Sequence, residues 1–477
     1  MVRLIARDAR ISLEAASQDS ADLPALVTDA GVLTFGMLAL RARRVAADLV
    51  ARGLTVGPVA IVATLRSETV VAIGALIDIG TPIVLLHPRL TASERALLVA
   101  QANVSHVLDE SWSDNGLPDA PTPSGASAMH DPESALAILF TSGSTGSPKG
   151  VVLSRRAFSA ASAASAANVG WRDGDRWLLC MPLAHVGGLS VIIRCLAARI
   201  PVVMSPWTGS IAALLADVSR HRATLLSLVP TMLTRILEDG PLRPFPDHVR
   251  AVFIGGDAAR PSLLRAATAR GVPVLTTYGL TEACSQVATQ VYGEAVSLDG
   301  AVGPPLPGVE VRIVDGEIQV RGPNLLTCYC PRERFGSPLV DGGWLPTGDQ
   351  GDLDERGRLR IRGRRSDLII TGGENVDPAE VERVLSGCPG VRDVCVFGVE
   401  DERWGQIVAV AIVQADPPPS ALAVANYARD HLAAHKRPRV FAFCDALPLG
   451  STGKLDRRSV AATVSAALVP LRAAPES

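Results

Sequence analysis

The chain is 477 residues long, 48% hydrophobic and 20% charged, with a formal net charge of −2. This is the composition of a folded protein with room for two or three cores, and it excludes a disordered chain. No basic block is present, so nothing points to nucleic acid or an anionic membrane surface.

The opening MVRLIARDARISLEAASQD lacks an apolar h-region, so no secretory leader is expected. Residues 24–110 alternate strand-like runs, VAIVATL, PIVLLH (82–87) and SHVLDE (105–110), with helical stretches such as FGMLALRARRVAADLVARG. This βαβ rhythm predicts a mainly parallel sheet covered by helices. The apolar stretch VVAIGALIDIGTPIVLL (70–86) is broken by Asp78, Gly80 and Pro82, which predicts a buried helix, a turn and a strand and not a membrane span. Residues 111–133 are rich in Pro, Ser, Gly and Asp and read as a surface loop. The short run ALAILF (135–140) then feeds directly into TSGSTGSPKG (141–150). Strand and helix signals continue through WLLCMPL (177–183), TLLSLVP (224–230), AVFIGG (251–256) and VPVLTTYG (272–279). After about residue 300 short alternating strands take over, and DERG marks a hairpin turn within GDLDERGRLRIRGRR (351–365).

The segment GRRSDLIITGGENVDPAEVERVL (363–385) reads as a boundary, with Asp377–Pro378 a fitting start for the helix AEVERVL. Beyond it, two strands (VRDVCVFGV, IVAVAIV) and two or three helices make a small α+β unit. The expected fold is α/β: a large N-terminal domain (1–364) of parallel-rich sheets covered by helices, a hinge around 363–367, and a small α+β C-terminal domain (367–477). Eight cysteines are scattered without a CxxC pair, mostly in apolar runs. Reduced core thiols in a cytoplasmic protein are expected, and a zinc site is not.

Only three of the 46 basic residues are lysines: Lys149, Lys436 and Lys454. Lys149 and Lys454 sit in glycine-rich loops, TSGSTGSPKG and LGSTGKLD (449–456). In a chain that uses arginine elsewhere, a retained ammonium points to a compact charge that a planar guanidinium cannot replace. Glycines let backbone N–H groups approach phosphate oxygens, and Ser and Thr hydroxyls add further donors. The first loop is not a Walker loop, which needs GK followed by Ser or Thr; here Gly150 follows Lys149. A flexible Ser/Gly linker is the competing reading, but a linker seldom joins a buried strand to a run, KGVVLS, that resumes one. The loops therefore point to chemistry on a nucleotide phosphate.

TSGSTGSPKG, YGLTE (278–282), PTGD (346–349), GRRSD (363–367) with GGENVDPAEVE, and STGKLDRR (451–458) stand in one order along the chain. In that order and spacing they resemble the adenylate-forming superfamily of acyl-CoA synthetases, luciferases and peptide-synthetase adenylation domains, over residues 24–460. The resemblance implies an adenylation domain with a mobile C-terminal lid, and ATP, Mg²⁺ and coenzyme A as reaction partners. It implies that Lys454 bridges the acid's carboxylate and the nucleotide, that Thr281 bonds the α-phosphate, and that Glu282 is the Mg²⁺ carboxylate. Thr141, Ser142, Gly143, Ser144, Thr145, Gly146 and Lys149 would wrap the phosphates. Gly255, Gly256 and Asp257 would line the base, with Tyr278 against adenine and Gly279 beside it. Asp349, helped by Arg364, would accept from the ribose hydroxyls. Ser366 falls at the implied hinge, and Gly372 and Gly373 would line a tunnel for the thiol of coenzyme A. Lys436 would meet CoA phosphates, although beside Arg437 and Arg439 it reads equally as a solvated charge.

Within the superfamily, MPL-x-H-x-x-GLS (181–190), GLTE-x-x-SQ and GRRSDLIITGGENV-x-PAEVE resemble the o-succinylbenzoate–CoA ligases of menaquinone biosynthesis. Their acid is aromatic with two carboxylates, so a pocket for it needs an apolar slot and a polar or cationic far end. His185, Ser190, Arg194, Thr277 and Ser285 are the candidates. His185 in an apolar segment reads equally as a core histidine, and Arg194 on a helix reads equally as solvent-facing. Other aryl or fatty acyl-CoA synthetases, or a stand-alone adenylation enzyme loading a carrier protein, are the alternatives. No membrane insertion is expected, and both monomer and homodimer remain open.

Overall fold

The strands read from the sequence assemble into two large sheets facing a shared core, a smaller antiparallel sheet, and a separate C-terminal sheet. The computed structural model describes residues 11–119, 130–141, 148–364, 367–371, 374–449 and 455–471.

In the first sheet Val59–Val62, Ile83–Leu86, Ala135–Thr141 and His106–Leu108 run parallel, and Lys149–Ser154 returns antiparallel beside Ala135–Thr141. Val59–Val62 and Ile83–Leu86 are buried at every position, as a parallel strand covered on both faces must be. The broken apolar stretch forms what its breakers dictate: helix Ser67–Ile79, Gly80 in the left-handed region at φ 76°, then the strand. Asp78, near the end of that helix, accepts from the Leu13 and Glu14 amides at 3.1 and 3.0 Å and so anchors the first described helix, Leu13–Ser20. Burial pushes the Asp78 carboxyl up to about 6.

The second sheet has the order Ser285–Thr289, Val274–Leu280, Ala251–Ile254, Leu225–Leu228, Trp177–Leu179, Val202–Met204, Pro24–Thr28, Gly31–Thr34. The last pair departs from the sequence rhythm. Residues 24–34 form a hairpin in this sheet, with Leu26 and Val27 beside Val202 and Val203, and not a first strand of the neighbouring sheet. A short apolar run such as ALV specifies a buried strand but not which distant strand it pairs with. Trp177, fully buried, stacks on Phe253 at 5.2 Å between ring centroids, joining two strands of this sheet on one face.

The third sheet runs Ala301–Gly303, Leu359–Arg364, Leu345–Leu353, Glu317–Arg321, Glu310–Val314. DERG makes its expected hairpin: the Gly357 amide donates to the Asp354 carbonyl at 2.8 Å with Gly357 at φ 71°. After Arg364 a new core begins around the long hairpin Val391–Asp401 with Gly405–Gln414, covered by Pro378–Leu385, Ala421–His431 and Arg457–Val464. Asp377 caps Pro378–Leu385 by accepting from the Ala379 amide at 2.9 Å. This unit also carries Ile369–Thr371, Glu374–Val376, Val440–Cys444 and Val469–Pro470, strands of two to five residues whose short runs give little alternation to read. All eight cysteines are free thiols, and no described helix is long and apolar enough to cross a membrane.

Candidate active site

Ligands of open α/β sheets bind beyond the carboxyl ends of the parallel strands. Here those ends of the two large sheets face each other. His87 follows the strand Ile83–Leu86, His185 precedes the helix Val186–Ala198, and their rings lie 5.6 Å apart. Gly255 follows Ala251–Ile254, and Thr281 follows Val274–Leu280. Thr141 ends its strand at the same level, where the glycine-rich loop begins.

The turn after Val274–Leu280 is built without slack. A side chain on Gly279 would lie 1.7 Å from the Ser285 carbonyl, so the chain can double back only with glycine there. Cys284 and Ser285 follow at φ 52° and 94°, two consecutive non-glycine residues in the left-handed region. Strain of this kind clusters at functional sites, and here it begins two residues beyond Glu282. Tyr329, on the edge strand Cys328–Cys330, donates its hydroxyl to Glu282 Oε1 at 3.3 Å. Among the described residues no cation pairs with Glu282. A half-buried carboxylate of this kind, oriented by one hydrogen bond, fits a hard divalent ion that completes its shell with phosphate oxygens and water. The Lys149 ammonium lies over the rings of Tyr329 and Phe335, 5.2 and 5.5 Å from their centroids. One tyrosine therefore touches both Lys149, the lysine of the glycine-rich loop, and the candidate metal carboxylate.

Tyr278 and Asp349 come together across two sheets. The phenol donates to Asp349 Oδ2 at 2.7 Å, and both residues are buried. Asp349 stands directly opposite Arg364 in the strand register, the pairing expected of a ribose site. Gly255 admits close approach of the neighbouring strand, because a Cβ there would lie 2.6 Å from Thr277 Cγ2. Asp257 accepts from the Leu455 amide at 3.4 Å, so the residue after Lys454 lies against the loop that would line the base.

The acid candidates divide. Ser190 donates to the Val186 carbonyl at 2.5 Å within its own helix, so its proton is not available to a ligand. Thr277 is tied to the Ala288 carbonyl, Thr289 and Gln286 across the strand pair. Ser285 is half-buried at the strained turn, beside the site. Arg194 does not face solvent. It is 4% exposed, lies over the Trp177 ring at 5.7 Å, and its Nε and Nη2 are buried without a hydrogen-bond partner among the described residues. Burial lowers its pKa to about 10, still charged at neutral pH, and its electrostatic neighbours are the thiols of Cys284 and Cys195. Burial pushes both thiols up, so neither is a thiolate that could neutralise the guanidinium.

Lys436 is held by both oxygens of Glu380 at 2.7 Å, a half-buried pair on the C-terminal unit. The expectations for Ser142, Gly143, Ser144, Thr145, Gly146, Ser366, Gly372, Gly373 and Lys454, and for the side chain of Arg364, lie outside the described residues. The sequence reading passed over Tyr329, Phe335, His87 and Trp177. Tyr329, Phe335 and His87 meet their site partners across more than forty residues, and Trp177 meets Arg194 from the strand before its helix; no local pattern marks such a meeting.

Two family models match the chain: AMP-binding enzyme over residues 13–330 and AMP-binding enzyme C-terminal domain over residues 380–454. The chain is 34% identical over 463 residues to the 2-succinylbenzoate–CoA ligase of Bacillus subtilis (strain 168), covering 91% of this chain and 94% of that one. Its structure is similar to o-succinylbenzoate CoA synthetase from Bacillus subtilis in complex with the acyl-adenylate intermediate, at TM-score 0.83 and 32% identity over 94% of this chain and 96% of that one. The same enzyme in complex with ATP and magnesium ion matches at TM-score 0.82 and 32% identity, over 94% and 98%. With the site geometry and these matches in agreement, the chain belongs to the AMP-binding enzymes, the adenylate-forming family of acyl-CoA synthetases.

Proposed function

We propose that the protein joins o-succinylbenzoate to coenzyme A in two steps at one site, consuming ATP and releasing AMP and pyrophosphate, as a cytoplasmic ligase of menaquinone biosynthesis. A carboxylate is a poor electrophile because its leaving group would be oxide. Attack of a carboxylate oxygen on the α-phosphorus forms the acyl-adenylate and expels pyrophosphate. The CoA sulfur then attacks the acyl carbon, AMP departs with the bonding pair, and the thiol proton passes to solvent. The first step demands position and countercharge more than a general base.

In this reading Thr141, Lys149 and Thr281 hold phosphate oxygens, Tyr278 flanks adenine, and Asp349 accepts from the ribose. Magnesium, when held by Glu282, supplies positive charge to the phosphates. Lys454 brings an ammonium between carboxylate and α-phosphate, and the Leu455–Asp257 contact supports that role. Rotation about the hinge at 363–367, between units 1–364 and 367–477, would withdraw Lys454 and bring Gly372 and Gly373 to the thiol path. Contact of Lys436 with CoA would require it to leave Glu380.

The observation that carries the choice of acid is Arg194. A buried guanidinium without a carboxylate partner among the described residues costs stability unless a ligand supplies the anion. It lies behind the Glu282 turn through its neighbour Cys284. An acid with a second carboxylate meets that need, and a fatty or simple aryl acid does not. The test is ATP-dependent pyrophosphate release across a panel of acids, repeated with CoA. o-Succinylbenzoate should exceed benzoate and octanoate by about a hundredfold or more in kcat/KM. Equal use of the three acids would defeat the assignment.

A further inference from the structure

We infer that Arg260 is a positioning residue for acyl-adenylate formation, acting as a latch that keeps the segment beginning at Leu455, next in the chain to Lys454, at the loop of Gly255 and Asp257. The inference rests on the reading of Lys454 given above. Arg260 closes the loop that begins at Gly255, just before the helix Pro261–Ala269. Its guanidinium leaves its own domain: Nη2 donates to the Val394 carbonyl at 2.9 Å, and the group pairs with the Asp393 carboxylate. Asp393 and Val394 belong to the strand Val391–Asp401 of the C-terminal unit.

From there a hydrogen-bonded path returns to the site. Two residues along the strand, the Val396 amide donates to Glu382 Oε1 at 2.9 Å, and its carbonyl accepts from Arg457 Nε at 3.3 Å. Arg457 Nη2 donates to both oxygens of Glu382, at 2.8 and 2.7 Å. Arg457 opens the helix Arg457–Val464, capped by Asp456, and the preceding Leu455 amide donates to Asp257. Asp257 and Arg260 therefore grip the C-terminal unit at two points from a single loop. At 3.4 Å the Asp257 contact is long for an N–H···O bond, so the Arg260 clamp is the stronger of the two. The same loop follows the strand Ala251–Ile254 and is the one that would line the base, so nucleotide binding and lid pose share a backbone.

A lid that must leave after the first step needs a hold that is specific and weak. A partly exposed guanidinium clamp has that strength, where an apolar interface would resist release. Loss of the clamp shifts the balance of poses away from adenylation, and it leaves alone the contacts of the rotated pose.

The experiment measures the half-reactions of Arg260→Ala, Asp393→Ala and the double variant separately, with hydrogen exchange on the resting protein. Acyl-adenylate formation should fall about threefold to tenfold in each single variant, with little further loss in the double variant. Thioester formation from supplied acyl-adenylate should be unchanged or faster. Amides of residues 455–460 should exchange faster, while those of the buried strand Gly405–Gln414 keep their protection. A fall in both half-reactions alike, additive losses, or unchanged exchange at 455–460 would overturn the latch. If Arg260→Ala melts early, Asp393→Asn tests the same clamp from its exposed side. Hydrogen exchange needs no substrate. Absent pyrophosphate release from the wild-type protein with every acid, alongside coupled exchange, would remove the functional reading and keep the latch.

Discussion

The phenol of Tyr278 and the carboxylate of Asp349 meet at 2.7 Å although they belong to different sheets. The bond fixes the direction of the carboxylate before any ribose arrives, and it fixes the plane of the ring that would flank adenine. A hydrogen bond to a charged group contributes about 1.5–3 kcal/mol. Tyr278→Phe should keep the ring and lose the orientation. The KM for ATP should rise about tenfold, with a smaller change in kcat for the acid half of the reaction. Steady-state kinetics with ATP varied at saturating acid checks this, and an unchanged KM would detach Asp349 from the nucleotide.

Tyr329 serves Glu282 through its hydroxyl and Lys149 through its ring. Tyr329→Phe removes only the first contact. The Mg²⁺ concentration needed for half-maximal adenylation should then rise about twofold to fivefold, as befits one long hydrogen bond. Glu282→Gln removes the carboxylate itself, and its Mg²⁺ requirement should rise by far more. If the two variants titrate with magnesium as the wild-type protein does, Glu282 does not hold the ion.

Arg194 sets stability against specificity. Replacing a buried cation that has no carboxylate partner among the described residues by an apolar side chain of similar length removes a desolvation cost. Arg194→Met should therefore melt no lower than the wild-type protein. Its kcat/KM for o-succinylbenzoate should fall about a hundredfold, and its use of acids lacking the second carboxylate should hold steady. Equal loss for every acid would make Arg194 a packing residue of the Trp177 layer.

Much of this architecture can be read from local pattern, and the limits of that reading have a physical cause. Gly80 after an apolar helix, Asp377–Pro378 before one, and Asp354 with Gly357 at a hairpin each act within a few residues, and each forms what its chemistry requires. YGLTE and PTGD carry Tyr278 and Asp349 in recognisable company, so both could be named as site residues, though not the bond between them. Tyr329, His87 and Arg260 carry no such company, because each acts on a partner supplied by another part of the chain. Residues 24–34 illustrate the same point for the fold. Three consecutive buried residues, Ala25 to Val27, mark a covered strand, but the choice of Val202–Met204 as neighbour is made by the whole core. Burial can also reverse a local reading. Arg194 carries the signature of a surface residue, and only tertiary packing against Trp177 places it inside.

Glu382 makes the stability of the C-terminal unit depend on pH in a direction opposite to that of most ion-paired carboxylates. Burial raises its pKa from 4.5 to about 7, outweighing the attraction of Arg457, the Val396 amide and the more distant Arg260, while Asp257 adds repulsion. The folded state therefore binds this proton more tightly than the unfolded chain does. The stabilisation is fully present below about 4.5 and is gone once the pH has risen past about 7. Between those limits the C-terminal unit should lose about 1–3 kcal/mol from this group alone. Glu382→Gln cannot titrate, so its Tm relative to wild type should climb as the pH rises from 5 to 7.5 and level off beyond. Because Arg457 donates to this side chain next to Leu455, the same proton should tune the latch. Thermal melts of the two proteins across that range provide the check. Parallel Tm curves would mean that Glu382 stays ionised throughout, with Arg457 holding its charge.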